Sequence, residues 1–469
     1  MDHQVDYEAP KNGFRTFLTV IVSQAVSVFG SAMTFFATTI WLTQVLYARP
    51  EQKAELAMAL SAVSLAFAVP TILFAPIAGA WADRHDRKRT MMSMNFTSGL
   101  LSLVLAAIML SDAMQFPALL VIMALSSIFT QFHNSALDTS YAMIVPNSLL
   151  PRANGMMQTM FSLSGILAPP VAAAIISLPA LARQGRLPSS FARPLANLAS
   201  GAPLAIAADA VTFFIAAATL CFLHIPSPKR TDLAGISGKP RKSMWADVKE
   251  GGVYILRRRP LLLLLCTFAL VNFASGPVGV FFPLILKFRL APDWSARGLS
   301  FETAMALMGA IGSAGGLAGG FIISAWGGLR KRRIYGILIP MVISGLAQVA
   351  FGLSNAFFLT AGVVAVFSAM GPFMNAHSQA IWQNQTPREL QGRVFAVRRV
   401  IAQFSWPIST AMAGWAGATF SPGAVMAVLG AVVVLVGVRQ MVNPTLIRVD
   451  DKEWLDQVAT GTVQPVPPA

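Results

Sequence analysis

The 469-residue sequence reads as an all-α integral membrane protein, with twelve transmembrane helices in two pseudo-symmetric six-helix halves. Composition is the first reason. Hydrophobic residues make up 55% of the chain and charged residues 12%, with a mean hydropathy of +0.62, more apolar side chain than a soluble domain can bury. The second is that these residues collect into twelve runs of roughly 20 or more, the length that crosses a bilayer as helix. The third is internal repetition. FHNSALDTSYAMIVPNSLLPR and FMNAHSQAIWQNQTPRELQGR share Phe132/Phe373, Asn134/Asn375, Pro146/Pro387, Leu149/Leu390 and Arg152/Arg393 at one offset of 241 residues, so the chain reads as two copies of one half.

Spans 1 to 6 are expected at 15–46, 55–82, 90–111, 116–145, 153–178 and 202–225. Spans 7 to 12 follow at 260–288, 301–326, 334–354, 356–385, 394–420 and 422–444. The domains are then 1–225, a cytoplasmic linker at 226–259, and 260–469 with its tail. With both termini in the cytoplasm, the inside segments hold 27 Lys and Arg and the outside segments 8, as the positive-inside rule requires. The net charge of +15 is therefore topology. No basic cluster comes with an aromatic stacking platform, so no nucleic-acid partner is expected.

Span 1 follows Asp2, Asp6, Glu8, Lys11 and Arg15, and its apolar run is too long for a signal-peptide core, so it is expected as a retained anchor. It carries Ser23, Ser27, Ser31, Thr34 and Thr38 at spacings of three and four, a polar stripe on an apolar helix. Span 4 carries Gln131, Asn134, Asp138 and Tyr141 at the same spacing, with His133 beside them. Span 6 holds Asp209. In the second half the stripes are Asn272, Ser275 and Gly279 on span 7; Asn375, Ser378 and Trp382 on span 10, with His377; and Arg399, Gln403, Trp406 and Thr410 on span 11. Hydroxyl stripes also join helices, so each position is read either as path or as packing.

Charge at membrane depth is expensive and usually functional. Asp138, Asp209, His133 and His377 are thus candidates for proton coupling, with an ion pair or a helix–helix hydrogen bond as the competing use. Phe281, Phe282, Trp382 and Trp406 would suit an aromatic or amphiphilic guest. Cys221 and Cys266 fall in apolar spans and are expected as packed free thiols, with no metal site. In the linker, Trp245, Val248, Val253 and Leu256 share a helical face, which suits a helix on the cytoplasmic surface ending at Arg257, Arg258 and Arg259; the alternative is a solvated linker.

After span 2 the chain reads GAWADRHDRKR. This resembles the loop motif of the major facilitator superfamily, G-x-x-x-D-R-x-x-R-[KR], at Gly79, Asp83, Arg84, Arg87 and Lys88; Asp86 stands where that family often has Gly. The resemblance implies that Asp83 caps a second-half helix in one conformation as a latch, a use the helix dipole favours. A plain positive-inside loop is the alternative. The second half keeps Gly320, Arg330, Lys331 and Arg332 without a counterpart to Asp83, so the latch is one-sided. LPRANGMMQ, IAADAVTFF, WADVKEGGVYILRRRP and NQTPRELQGRVFAVRR are similar to the branch that contains macrolide-efflux and enterobactin-type siderophore exporters.

In that superfamily spans 1, 4, 7 and 10 line a central cavity; the stripes fall on those spans and on span 11, which makes Ser27, Ser31, Thr34, Gln131, Asn134, Asn272, Ser275, Phe282, Asn375, Ser378 and Trp382, with Gln403 and Trp406 of span 11, the expected cargo contacts. Gate residues are implied at Arg152 and Arg393 beside the loop motif. The exporter Gly-Pro mark of span 5 is degraded here to Gly165, Ala168, Pro169 and Pro170. No phosphate loop, metalloprotease or nucleophile-elbow motif occurs, and the glycines of GAIGSAGGLAGG in span 8 have no strand before them. An enzyme or a cofactor is not expected. The expectation is a monomeric multi-pass exporter of the bacterial inner membrane, exchanging a drug-like molecule or siderophore for protons; a lipid flippase and a non-transporting receptor or scaffold are the alternatives.

Overall fold

The computed structural model describes residues 12–111, 114–146, 149–223, 225, 244–451, 453–455 and 457, and among them there is no strand. Spans 1 to 6 are the helices Gly13–Trp41, Lys53–Arg84, Arg87–Leu110, Phe116–Ile144, Leu150–Arg183 and Ala202–Cys221. Span 7 is broken into Arg259–Ser275 and Val278–Phe288, and spans 8 to 12 are Phe301–Trp326, Tyr335–Leu353, Phe357–Gln385, Arg388–Thr419 and Pro422–Met441. Eleven of these, the two pieces of span 7 counted together, are long and apolar enough to cross a membrane. Span 11 completes twelve as a 32-residue helix whose early turns carry Arg393, Arg398 and Arg399.

The helices form two compact units. The first comprises Met1–Arg49, Ala62–Gly238 and Glu302–Ala310; the second comprises Pro50–Ser61, Lys239–Phe301 and Ile311–Ala469. Each unit thus includes the opening turns of one helix from the other half of the sequence. Within the second unit, Ser61 Oγ donates to the Thr410 carbonyl at 2.7 Å.

Close packing explains the small residues. A side chain at Gly315 or Gly319 of span 8 would collide with the carbonyl of Ala365 or Ala369 on span 10. The glycine run is a helix-packing seam, as its lack of a preceding strand indicates. Span 7 breaks at Gly276 and Pro277 because proline cannot continue the hydrogen-bond ladder and Gly276 is pressed against Ser409 of span 11.

The linker helix runs Met244–Arg257. The side chains of Trp245 and Val248 lie outside the described residues, while Val253 and Leu256 are exposed and Tyr254 and Ile255 are buried. Gly251 lets the helix touch the Arg393 carbonyl, and Tyr254 Oη donates to the Gln385 carbonyl at 2.6 Å. Val253 and Leu256 therefore point away from the unit, where a membrane surface would cover them. Cys221 and Cys266, expected as packed thiols, lie at exposed positions instead; a helix with lipid on one side can turn a thiol outward at little cost.

Candidate functional site

The turn after span 2 is built by its own side chains. Asp86 is the N-cap of span 3, accepting from the Arg89 backbone N–H at 2.8 Å, which accounts for an acid where the resembled motif has Gly. Arg87 is buried, donating to the Thr139 carbonyl at 3.0 Å and the Ala82 carbonyl at 3.3 Å. Lys88 Nζ donates to the Cys221 carbonyl at 2.9 Å, at the C-terminus of span 6, where a cation suits the helix dipole. Asp83 and Arg84 are exposed, and Gly79 is half-buried.

The two arginines of the repeat hold equivalent places. Arg152, entering span 5, lies 5.5 Å from the centre of the Phe14 ring at the start of span 1. Arg393, entering span 11, pairs with Glu250 of the linker helix at 2.6 Å. Arg152 thus reaches the start of span 1 and Arg393 the linker helix.

The polar site of the first unit centres on Asp209, which is 1% exposed. Its Oδ2 accepts from Thr34 Oγ1 of span 1 at 2.6 Å and from Ser102 Oγ of span 3 at 3.4 Å, and its Oδ1 from Thr212 Oγ1 at 3.2 Å. Gly30 makes room for the group, since any side chain there would strike Asp209 and Thr212. A cavity of about 280 Å3 adjoins the carboxylate, lined by spans 1, 2, 3, 4 and 6. A second cavity of about 150 Å3 shares Ser31, Ser98, Thr130 and Phe213 with the first and reaches Ser27, His133 and Asn134.

Of the residues expected from sequence, Ser27, Ser31, Thr34, Asn134, His133 and Asp209 come together here. Asp138 is exposed on span 4 and lines neither cavity, and Gln131 is half-buried outside both. Asn95, Ser98 and Ser102 of span 3 belong to the site and were not singled out, although their spacing of three and four was itself a polar stripe.

The second unit is arranged differently. His377 is buried: its Nδ1 lies 2.8 Å from the Phe373 carbonyl, and its Nε2 accepts from the Leu329 backbone N–H at 2.9 Å. That turn is set by Gly327 and Gly328, both at positive φ. With both ring nitrogens held by backbone, His377 braces the loop between spans 8 and 9, and carrying a proton would break the bond from Leu329. Trp382 and Ser378, expected on a cargo path, are buried in the unit's core at 1% and 0% exposure; a ring this large gains most by filling the helix interface.

Arg398, which the stripe reading passed over for Arg399, donates to Gln379 Oε1 at 2.8 Å and Ser378 Oγ at 3.1 Å, with its guanidinium 5.6 Å from the Trp382 ring centre. Asn272 and Ser275 are half-buried next to the break in span 7, with Ser275 Oγ donating to the Val271 carbonyl. Phe282 stacks on Phe351 at 6.3 Å. Asn375 is exposed and Trp406 is 38% exposed, while the side chains of Arg399 and Gln403 lie outside the described residues.

Comparison with known proteins agrees with this architecture. The family model described as Major Facilitator Superfamily matches residues 20–410. Macrolide efflux protein A of Streptococcus pyogenes is 26% identical over 401 residues, 84% of this chain and 87% of that protein. Its counterpart in Enterococcus faecalis is 26% identical over 361 residues, 75% and 98% of the two chains. Among solved structures, an inward-facing bacterial homologue of the human lysosomal transporter Spinster aligns with a TM-score of 0.60 at 16% identity, over 97% of this chain and 96% of that one. A nucleoside transporter aligns with a TM-score of 0.64 at 14% identity, over 90% and 98%.

Proposed function

The chain belongs to the Major Facilitator Superfamily, and from that premise we propose that it is a secondary exporter, moving a small molecule outward across the cytoplasmic membrane by alternating access in exchange for protons. It is a multi-pass membrane transporter with macrolide-efflux relatives. A drug-like compound is the favoured cargo and a siderophore the second. The reading places the protein in a bacterial inner membrane as a monomer, with both termini inside.

Asp209 is the observation that carries proton exchange. An acid buried within a transmembrane unit is costly unless it works, and this one has three hydroxyl partners and no cationic partner among the described residues. As a carboxylate it accepts from Thr34, Ser102 and Thr212 together. Once protonated it carries an O–H of its own that needs an acceptor, and a neighbouring hydroxyl that reverses from donor to acceptor can supply it. Protonation therefore rearranges the contact between spans 1, 3 and 6, a lever by which charge state alters helix packing. Asp83, exposed at the end of span 2, is assigned the latch.

Purified protein in liposomes with an imposed proton gradient tests the reading. Export of a labelled macrolide should follow the gradient, collapse with an uncoupler, and lose its gradient response in Asp209→Asn. Transport by the wild type that ignores both gradient and uncoupler sinks proton antiport. Movement of a labelled phospholipid under those conditions would instead favour a flippase.

A further inference from the structure

We propose that the interior of the first unit holds a hydrated proton passage, running from Asp209 to His133 through the two joined cavities. It rests on the reading of Asp209 as the coupling acid and adds a route for the proton that lies wholly within one half.

The geometry is that of a polar column. Ser31, Ser98, Thr130 and Phe213 line both cavities, so the two adjoin across these side chains. Asp209 stands at one end, bonded to Ser102, and Asn95 at the other; those two span-3 positions are separated by seven residues, or roughly 10 Å of helix. Ser98 lies between them, three residues from one and four from the other, on the same helix face.

Two atoms at the far end lack partners. Asn95 is 2% exposed and His133 is 8% exposed, and Asn95 Nδ2 and His133 Nε2 have no hydrogen-bond partner among the described residues. Leaving a buried amide or imidazole nitrogen unpaired is costly, so both call for a polar guest in the cavity they line. About 150 Å3 there and about 280 Å3 beside Asp209 are room for several waters at roughly 30 Å3 each, with Ser31, Ser98, Thr130 and the Asp209 carboxylate as polar partners in linings whose surface is otherwise largely apolar.

Titratable groups face this column from two helices. Asp209 projects from span 6 and His133 from span 4, whereas spans 1, 2, 3 and 5 contribute no acid, base or charged side chain to either lining. A proton leaving the Asp209 carboxyl meets hydroxyls and water, with no fixed charge to trap it, until it reaches His133. With the topology proposed above, the His133 end is the cytoplasmic one, because spans 1 and 3 begin on that side and span 4 ends there. Cargo and proton then occupy separate space and need not compete for one site.

Infrared difference spectroscopy after a pH jump, on the purified full chain, tests this without any cargo. A carboxyl C=O band that is present in the wild type and absent in Asp209→Asn reports the acid. Ser98→Leu should slow its protonation change by about tenfold or more, while Ser98→Thr, which keeps a hydroxyl, should restore the rate. A band that titrates in Ser98→Leu as fast as in the wild type overturns the passage. Equal slowing in Ser98→Thr also overturns it, since the loss would then be structural. Failure of the underlying reading looks different: no Asp209 band would titrate in any variant.

Discussion

Asp209 and His377 show how differently two buried titratable side chains can be used. Both sit inside apolar helices, and both are candidates from sequence because an ionisable group at membrane depth is costly. The structure separates them by their partners: Asp209 is held by side-chain hydroxyls beside a cavity, while His377 is held on both nitrogens by backbone. His377→Ala should therefore act on stability, leaving the Leu329 N–H unpaired at a cost of about 1–3 kcal/mol, and lower the melting temperature of detergent-solubilised protein. It should leave the proton-gradient response of the remaining folded protein intact; a folded variant that lost that response would restore His377 as a coupling group. Arg398 marks where spacing fell short. Adjacent positions on one helix are rotated about 100° apart, and contact with Gln379 and Ser378 is what turns Arg398 inward.

At the scale of elements, acidic side chains hold the starts of two spans, 3 and 10. Asp86→Ala removes the N-cap of span 3 and should cost about 1 kcal/mol, read as a lower melting temperature with export activity otherwise retained. Asp293, between spans 7 and 8, acts at a distance. Its Oδ2 accepts from the Phe357 N–H that opens span 10 at 2.7 Å, and Arg297 pairs with it at 3.0 Å. The Arg297 hydrogen bond, with help from the Phe357 N–H, holds this carboxyl below its ordinary value. A depressed acid contributes stability above its unfolded pKa of about 3.9 and loses it as pH falls through the folded value. The wild type should therefore lose more melting temperature than Asp293→Asn between neutral pH and strong acid, and equal losses would remove Asp293 from the account. The twelve long helices were legible from apolar run length. The break at Gly276 and Pro277 was not, because proline within an apolar span is often absorbed as a kink.

At the scale of the molecule, duplication was legible from five shared residues, but what each copy does with them was not. Arg152 reaches an aromatic ring and Arg393 a carboxylate, so one inherited position serves two chemistries. Asp138 likewise stands where the second copy has Gln379, which Arg398 engages. Nor did hydropathy indicate that the compact units fail to coincide with the sequence halves. The opening turns of span 2 belong to the second unit and those of span 8 to the first. Ser61 accordingly spends its hydroxyl on the Thr410 carbonyl, and Gly414 has no side chain because Ser61 lies against it. A polypeptide ending at residue 243 retains spans 1 to 6 but cannot form these bonds, leaving the start of span 2 without its packing partners. Expressed alone, it should insert yet melt well below the intact chain and be cut by protease near residues 50–61. Co-expressed with a second polypeptide beginning at residue 244, it should co-purify and recover most of the difference. A first half that melted alone at the temperature of the whole would mean that the shared turns add nothing to stability.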